Sequence, residues 1–177
     1  MTYTYHYDSP LGGITLASNG TELTGLWFDG QKYFGDTLAK DCEEKRLPVL
    51  EQTVRWLDIY FAGREPDFMP PLHPIGSAFR RSVWNILLEI PYGQTTTYGE
   101  IARQLVAKRS LPRMSAQAVG GAVGHNEISI IIPCHRVVGT NGSLTGYAGG
   151  IDKKVKLLEW EHTDMTGFFI PKKGTAL

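Results

Sequence analysis

The sequence predicts an α+β protein made of two small domains, and two observations support this fold class. Residues 2–28 alternate apolar and polar side chains with a period of two, which is typical of antiparallel strands. From residue 48 onward the apolar residues recur mainly at helical spacing. We therefore expect an N-terminal antiparallel sheet with a helix, followed by a mainly helical C-terminal domain that contains a helix-turn-helix and a short buried strand.

The first domain is predicted to begin with a strand meander. Three segments have strand patterns, residues 2–7, 12–18 and 22–28. Asn19-Gly20 is a strong turn signal between the last two segments. Residues 29–47 are polar and rich in turn formers, so we expect a loop there.

A single helix is expected after this loop. Its apolar stripe follows Pro48 and consists of Leu50, Val54, Leu57 and Phe61. Gly63 would end the helix, and the proline-rich connector at residues 64–74 places the domain boundary near residue 75. Within this domain His6 lies in a strand pattern and Cys42 in the polar loop, and both are interpreted as structural residues.

Residues 76–165 are predicted to form the second domain, and residues 166–177 a C-terminal tail. An apolar helical stripe opens the domain and consists of Phe79, Val83, Ile86, Leu87 and Ile90. Thr97 and Glu100 then form a capping box that begins a second helix. A basic loop containing Lys108, Arg109 and Arg113 leads to a third helix of very small residues at 114–126. The last two helices resemble a helix-turn-helix with a long turn.

Two glycines in this third helix require an explanation. Gly120 and Gly121 each cost up to about 1 kcal/mol in helix propensity relative to alanine. Either close internal packing or the approach of another backbone, from the following strand or from a nucleic acid, would account for them.

Composition and charge argue against several classes of protein. The chain has 177 residues, of which 42% are hydrophobic, and no apolar run is long enough to cross a bilayer. With two cysteines, no four-cysteine zinc site and no disulfide framework are expected, and we expect no cofactor and a cytoplasmic location. Residues 1–75 carry six Lys and Arg against eleven Asp and Glu, whereas residues 76–177 carry twelve against seven. The basic second half could bind a polyanion. On charge alone, however, we favour the simpler interpretation that surface charges are unevenly distributed without a functional reason.

The segment "ISIIIPCHRVV" contains the strongest candidate site. The isoleucines predict a short buried strand, which Pro133 ends. Cys134 would then lie on irregular backbone beside His135 and Arg136. An imidazole and a guanidinium both favour the thiolate over the thiol, and the histidine would need a partner such as Glu161. The alternative is a buried and inert cysteine.

Four motifs in the second domain, in matching order and spacing, resemble those of the O6-alkylguanine-DNA alkyltransferases. They are "TYGEIA", "AVGGAVGHN", "PCHRVV" and "GYAGG" followed by a helix with "KLLEWE". The match covers residues 76–161, and the first domain is compatible with the variable, RNase H-like N-terminal domain of that family. The resemblance implies irreversible transfer of an alkyl group from O6-methylguanine in double-stranded DNA to a cysteine of the protein, after rotation of the nucleotide out of the duplex.

The resemblance also implies roles for individual residues. Cys134 would be the alkyl acceptor, His135 would take its proton through a water, and Glu161 would orient the histidine. Asn126 would organise the site, and Tyr98 would assist nucleotide rotation and donate a hydrogen bond to guanine. The pocket for the base would consist of Tyr147, Ala148, Gly146 and the carbonyls of Cys134 and Val137, with Pro133 and Arg136 shaping the site.

For DNA binding, the resemblance implies that the third helix enters the minor groove, whose width of about 6 Å suits small residues. The implied contacts are Arg113, Ser115, Ala116, Gln117 and Gly121. Gln117 stands where the family often has an arginine, so nucleotide rotation or DNA affinity would differ. The protein would act as a monomer and would not associate with a membrane.

Two other functions and one question of substrate remain open at this point. The chain could be a helix-turn-helix regulator with a structural cysteine, or a Cys-His hydrolase with an acyl intermediate. Activity on O4-methylthymine is also undecided.

Overall fold

The computed structural model describes residues 1–109 and 113–172. Residues 110–112 of the predicted basic loop and residues 173–177 of the predicted tail therefore lie outside the described residues. The chain divides into two compact units. The first unit contains residues 1–75 and 127–129, and the second contains residues 76–126 and 130–177.

The first unit is built on a four-stranded sheet. Its strands are β1 (Thr2–Ser9), β2 (Gly12–Ser18), β3 (Leu23–Phe28) and β4 (Cys42–Glu44). The strand order is β3-β2-β1-β4, with antiparallel pairing throughout except between β1 and β4, which are parallel. The predicted turn lies between β2 and β3, where the Asn19 side chain accepts hydrogen bonds from the backbone of Thr21 and Glu22. The three predicted strands are confirmed.

One helix, α1 (Pro48–Phe61), packs against the first three strands. Its buried side chains include the predicted Leu50 and Leu57, and burying each contributes roughly 1.5–3 kcal/mol. Gly63 follows the helix with a φ of 84°, a conformation that glycine adopts without steric cost. The position of this helix is confirmed.

Cys42 was expected in a loop, but in the structure it is the first residue of the short strand β4. The three residues of this strand are exposed, and only their pairing with β1 makes the segment a strand. A segment of this length has no pattern of its own, so the polar composition of residues 29–47 hid it.

The second unit begins with three helices: α2 (Ala78–Leu87), α3 (Tyr98–Arg109) and α4 (Ala116–Gly124). Ser77 caps α2 and Ser115 caps α4, each by accepting a hydrogen bond from a backbone N–H. The indole of Trp84 donates to the carbonyl of Ala122 over 2.9 Å and thereby fixes α2 to α4. The α3–α4 pair is the predicted helix-turn-helix.

The predicted capping box at the start of α3 is half formed. Thr97 Oγ1 accepts from Glu100 N over 3.1 Å, as expected for an N-cap threonine. The Glu100 carboxylate accepts from Arg103 Nε over 3.0 Å instead of returning to Thr97.

The predicted buried strand at residues 128–132 is wrong in its conformation, although the segment is buried. Only Ile128 forms a β-bridge, to Leu26 of β3, and residues 129–131 form a turn. Ile130 has a φ of 70°, which extended backbone does not allow. The strands of this region are instead β5 (Thr96–Thr97) and β6 (Val137–Val138), which pair in parallel.

The last helix, α5 (Ile151–Trp160), is followed by a segment that folds back toward residues 142–144. No helix among the described residues is long and apolar enough to span a bilayer.

Candidate functional site

The backbone around Cys134 turns sharply twice. Pro133 has φ −84° and ψ 65°, an inverse γ-turn closed by a hydrogen bond of 2.8 Å from Cys134 N to Ile132 O. A single 3-10 turn, Cys134–Arg136, follows and leads directly into β6. Adjacent residues in such a turn do not point to opposite faces as they would on a strand, so the cysteine and the histidine can serve the same site.

The thiol of Cys134 is almost completely buried. Its side chain forms a hydrogen bond with Asn126, whose Nδ2 also donates to the Ile132 carbonyl over 2.8 Å. Burial raises the pKa of the Cys134 thiol, while the Asn126 bond and the charge of Lys154 act in the opposite direction. Burial has the larger effect, so the thiol is protonated at neutral pH and needs a base to react.

A buried network of three charged or titratable side chains lies next to the thiol in sequence. His135 Nε2 is 2.5 Å from Glu161 Oε2, and Arg136 Nε donates to Glu161 Oε1 over 2.7 Å. Arg136 also donates to the Ile90 carbonyl, and both His135 and Glu161 are buried. Each oxygen of the carboxylate therefore has a fixed side-chain partner, and Oε1 also accepts from the backbone N–H of Gly93 over 3.5 Å.

This network determines which nitrogen of His135 is a base. Burial alone would raise the pKa of Glu161, but His135 and Arg136 outweigh it and lower that pKa to about 2. Burial lowers the pKa of His135 although Glu161 opposes it, so the ring is neutral at pH 7. An ionised carboxylate only accepts hydrogen bonds, hence Nε2 carries the proton. Nδ1, which makes no hydrogen bond to the described residues, is left with a free lone pair.

Lys154 is a residue of this site that sequence reasoning missed. Its ammonium is fully buried and donates to the carbonyls of Val137 and Thr145, over 2.6 and 3.0 Å, and more weakly to that of Gly146. Burial lowers the pKa of Lys154 to about 8, and the charge of Cys134 opposes this shift. The signal in the sequence was the position of Lys154 one turn into the helix that leads to Glu161.

Tyr98 is brought to the site by the β5–β6 pair. Thr97 pairs with Val138, so α3 begins beside the strand that follows Cys134. The Tyr98 hydroxyl donates to the Thr145 carbonyl over 3.2 Å. Burial, followed by the charge of Cys134, raises the pKa of Tyr98, so the phenol stays protonated and is a donor.

The predicted pocket residues lie on the loop before α5. Gly146, Tyr147 and Ala148 are partly buried, and the Tyr147 ring stands edge-on to the His135 ring at a centroid distance of 6.5 Å. The predicted pocket carbonyl of Val137 accepts from Lys154.

The predicted DNA-contact residues form a separate set on α4 and just before it. Arg113, Ser115, Ala116, Gln117 and Gly121 are all exposed. A Cβ added to Gly121 would have no described atom within 4 Å, so internal packing does not explain this glycine.

Both units of the chain match domains of one known protein family. Residues 1–74 match the ribonuclease-like domain, and residues 78–163 the DNA-binding domain, of the 6-O-methylguanine DNA methyltransferases. A methylated-DNA–protein-cysteine methyltransferase of Mycobacterium bovis is 45% identical over 159 residues, which cover 88% of this chain and 92% of that protein. The chain belongs to the 6-O-methylguanine DNA methyltransferase family.

Other members of this family support the assignment. The methylated-DNA–protein-cysteine methyltransferase of Haemophilus influenzae is 40% identical, over 91% of this chain and 86% of its own. The crystal structure of Mycobacterium tuberculosis OGT in complex with DNA has a TM-score of 0.78 at 44% identity, covering 90% of this chain and 92% of that one. The predicted fold class, with an N-terminal sheet and a helical DNA-binding domain, is thereby confirmed.

Proposed function

We propose that this protein repairs DNA by moving the alkyl group of O6-methylguanine irreversibly to Sγ of its own Cys134. A bond forms between sulfur and the methyl carbon, and the bond between that carbon and O6 breaks. Guanine leaves with the electron pair, and the thiol proton passes to His135. The observation that carries the proposal is the buried Cys134 thiol beside a fixed His135–Glu161–Arg136 network, in a chain of this family.

Proton removal is assigned to Nδ1 of His135. Glu161 holds the proton on Nε2, so Nδ1 is the nitrogen that can accept one. A water bridging Sγ and Nδ1 would relay the proton, since water-mediated hydrogen bonds are nearly as favourable as direct ones. Arg136 keeps the carboxylate ionised and oriented, which makes it a positioning residue.

The guanine pocket is assigned to the loop before α5 and to Tyr98. Gly146, Tyr147 and Ala148 would enclose the base, and Asn126 would hold the thiol toward it. The Tyr98 hydroxyl would exchange the Thr145 carbonyl for the departing guanine, because its raised pKa keeps it a donor. The thioether product has no good leaving group, so each molecule would act once.

DNA binding is assigned to the exposed face of α4 in the minor groove. Small residues allow the helix to approach closely, and readout there depends little on sequence, as general repair requires. Extrusion of the nucleotide costs a few kcal/mol in stacking and pairing. Gln117 would fill the vacated space with a neutral amide. All these groups come from one chain, so a monomer suffices.

The test is the mass of the intact protein after incubation with a duplex containing one O6-methylguanine. We expect a gain of one methylene unit, located on the peptide that bears Cys134, and no gain in Cys134→Ser. Absence of the gain in reduced wild-type protein would refute the proposal. Repeated turnover of an activated ester would favour a Cys-His hydrolase instead, and operator-specific binding that does not depend on a lesion would favour a regulator.

A further inference from the structure

Residues 163–170, which follow α5, form an ordered segment that we call the C-terminal strap. All but its first residue lie beyond the region that matches the family's DNA-binding domain, which ends at residue 163. A turn at residues 165–168 is closed by the hydrogen bond from Phe168 N to Met165 O, with Gly167 at a φ of 85°. Asp164 accepts from the backbone of Thr166 and fixes the approach to this turn.

The strap pairs with the loop that follows β6. Phe169 N donates to Gly142 O over 3.1 Å, and Leu144 N donates to Phe169 O over 2.8 Å. Gly142 has a φ of 89°, and a Cβ on it would collide with the carbonyl oxygen of Gly167. The two backbones therefore approach as closely as glycine permits.

Apolar contacts fix the strap further. Phe168 and Met165 pack against a buried cluster formed by Val138, Leu144 and Leu158. Val138 belongs to β6, four residues after Cys134, and Leu158 belongs to α5, three residues before Glu161. The cluster thus joins the strap to both elements that carry the reacting groups.

The hydrogen bonds of the strap end one residue before the Thr145 carbonyl. This oxygen accepts from the Tyr98 hydroxyl over 3.2 Å and from the Lys154 ammonium over 3.0 Å. Lys154 also donates to Val137 O, three residues after Cys134. A displacement of Leu144 would therefore also move the Thr145 carbonyl. That carbonyl positions the Tyr98 hydroxyl and the Lys154 ammonium near the Cys134 thiol.

We infer that the C-terminal strap is a positioning element for alkyl transfer, and that Phe168 is its anchor. The strap fixes Gly142 and Leu144, hence the Thr145 carbonyl, and through it the Tyr98 hydroxyl and the Lys154 ammonium next to Cys134. This inference rests on the proposed function, because it assigns the strap to the same site. It assigns a role in alkyl transfer to residues that follow the matched DNA-binding domain, which ends at residue 163.

The test compares two neighbouring phenylalanines of the full chain. Phe168 packs on the cluster, whereas Phe169 contributes backbone hydrogen bonds and leaves 45% of its surface exposed. Single-turnover transfer from an O6-methylguanine duplex gives an amplitude, a limiting rate and a half-saturating DNA concentration. The amplitude reports the competent fraction of the protein, the limiting rate reports positioning, and the half-saturating concentration reports DNA binding.

We expect Phe168→Ala to lower the limiting rate on the order of tenfold to a hundredfold, because displacements of about 1 Å at a reacting centre have effects of this size. Half-saturation should stay unchanged, Phe169→Ala should keep the wild-type rate, and Phe168→Leu should recover most of it. Gly142→Ala, in the full chain, should lower the rate in the same way, through its collision with Gly167 and through the strain of a non-glycine residue at a φ of 89°.

The outcomes separate the two proposals. A wild-type rate in the competent fraction of both Phe168→Ala and Gly142→Ala would overturn the role of the strap, whatever their amplitudes. Equal losses in Phe168→Ala and Phe169→Ala would overturn the assignment of Phe168 as the anchor. A wild-type protein that transfers no methyl group at all would refute the proposed function itself.

Discussion

The chemistry of Cys134 depends on opposing influences on a single sulfur atom. Burial favours the neutral thiol, whereas Asn126 and the charge of Lys154 favour the thiolate. The first influence is the larger, so the thiol of the resting protein is protonated. In the proposed reaction His135 is the base, and Glu161 keeps the proton on its other ring nitrogen.

The role of Glu161 is tested by Glu161→Gln. The amide can donate to Nε2, which would move the ring proton to Nδ1 and remove the base. We expect the limiting rate of transfer to fall on the order of 10⁴-fold, as it does when the triad carboxylate of serine proteases is replaced by an amide. Arg136 would keep the amide oxygen as an acceptor but lose the negative charge that compensates its own, which should also cost up to about 3–5 kcal/mol of unfolding free energy. Glu159→Gln, at an exposed position of α5 two residues before Glu161, is the control, and equal rates for the two variants would contradict the assignment.

The rate of transfer should also depend on pH through Lys154. His135, with a pKa lowered from 6.5, is neutral at pH 6.5 and above, so the base is available there. Lys154 loses its proton near pH 8, before the thiol, whose pKa lies above 9.0, can ionise by itself. The limiting rate should therefore be flat from pH 6.5 and fall through about pH 8. Lys154→Met should be slow and show no such fall, and a wild-type rate that rises steadily from pH 6.5 to 9.0 would contradict this account.

Sequence reasoning at this scale found residues whose chemistry is visible in their type. The structure has Glu161 in hydrogen-bond contact with His135, as predicted. The neighbouring histidine also suggested a thiolate, but burial raises the pKa of Cys134 and keeps the resting thiol protonated. Lys154 was missed because a lysine on a helix is normally solvated. Its burial depends on carbonyls from β6 and from the loop before α5, which only the folded chain brings together.

At the scale of elements, the long periodic segments could be predicted and the short ones could not. The stripe of Leu50 and Leu57 identified α1, and the small residues after Ser115 identified α4. Residues 128–132 have strong β propensity, yet only Ile128 forms a β-bridge and residues 129–131 form a turn. In this turn Ile130 has a positive φ, and the Asn126 side chain donates to the Ile132 carbonyl. β5 and β6 have two residues each and exist only through their mutual pairing.

The proposed function of α4 predicts opposite effects of Gly121→Leu on stability and on DNA binding. The position is exposed with no described atom near an added Cβ, so the folded state should gain up to about 1 kcal/mol from helix propensity. Affinity for duplex DNA should fall at least about tenfold, because the larger side chain prevents close approach in a groove about 6 Å wide. Fluorescence anisotropy with a labelled duplex and urea unfolding measure the two effects. Ala39→Leu, an exposed position of the first unit, is the control, and unchanged affinity in Gly121→Leu would exclude α4 from the groove.

At the scale of the whole molecule, the two units are not consecutive in sequence. Residues 127–129 follow Asn126 of the second unit but belong to the first. Leu26 N donates to Glu127 O and Ser129 N donates to Leu26 O, so this segment extends the edge of β3. A pairing across about a hundred residues leaves no local pattern, so a boundary drawn near residue 75 from proline content could not include it.

This shared segment makes the stability of the first unit depend on a residue of the chain's second half. The fully buried Trp27 indole donates to Glu127 Oε2 over 3.0 Å. Trp27→Phe removes that donor from a buried carboxyl group, which should cost about 1–3 kcal/mol beyond the lost ring contacts. Trp56→Phe in the same unit is the control, since its indole makes no hydrogen bond recorded among the described residues and stacks on Tyr60 instead. Urea unfolding of the two full-length variants gives the difference. Equal destabilisation would show that the hydrogen bond to Glu127 contributes nothing, and that β3 holds the segment through its backbone bonds alone.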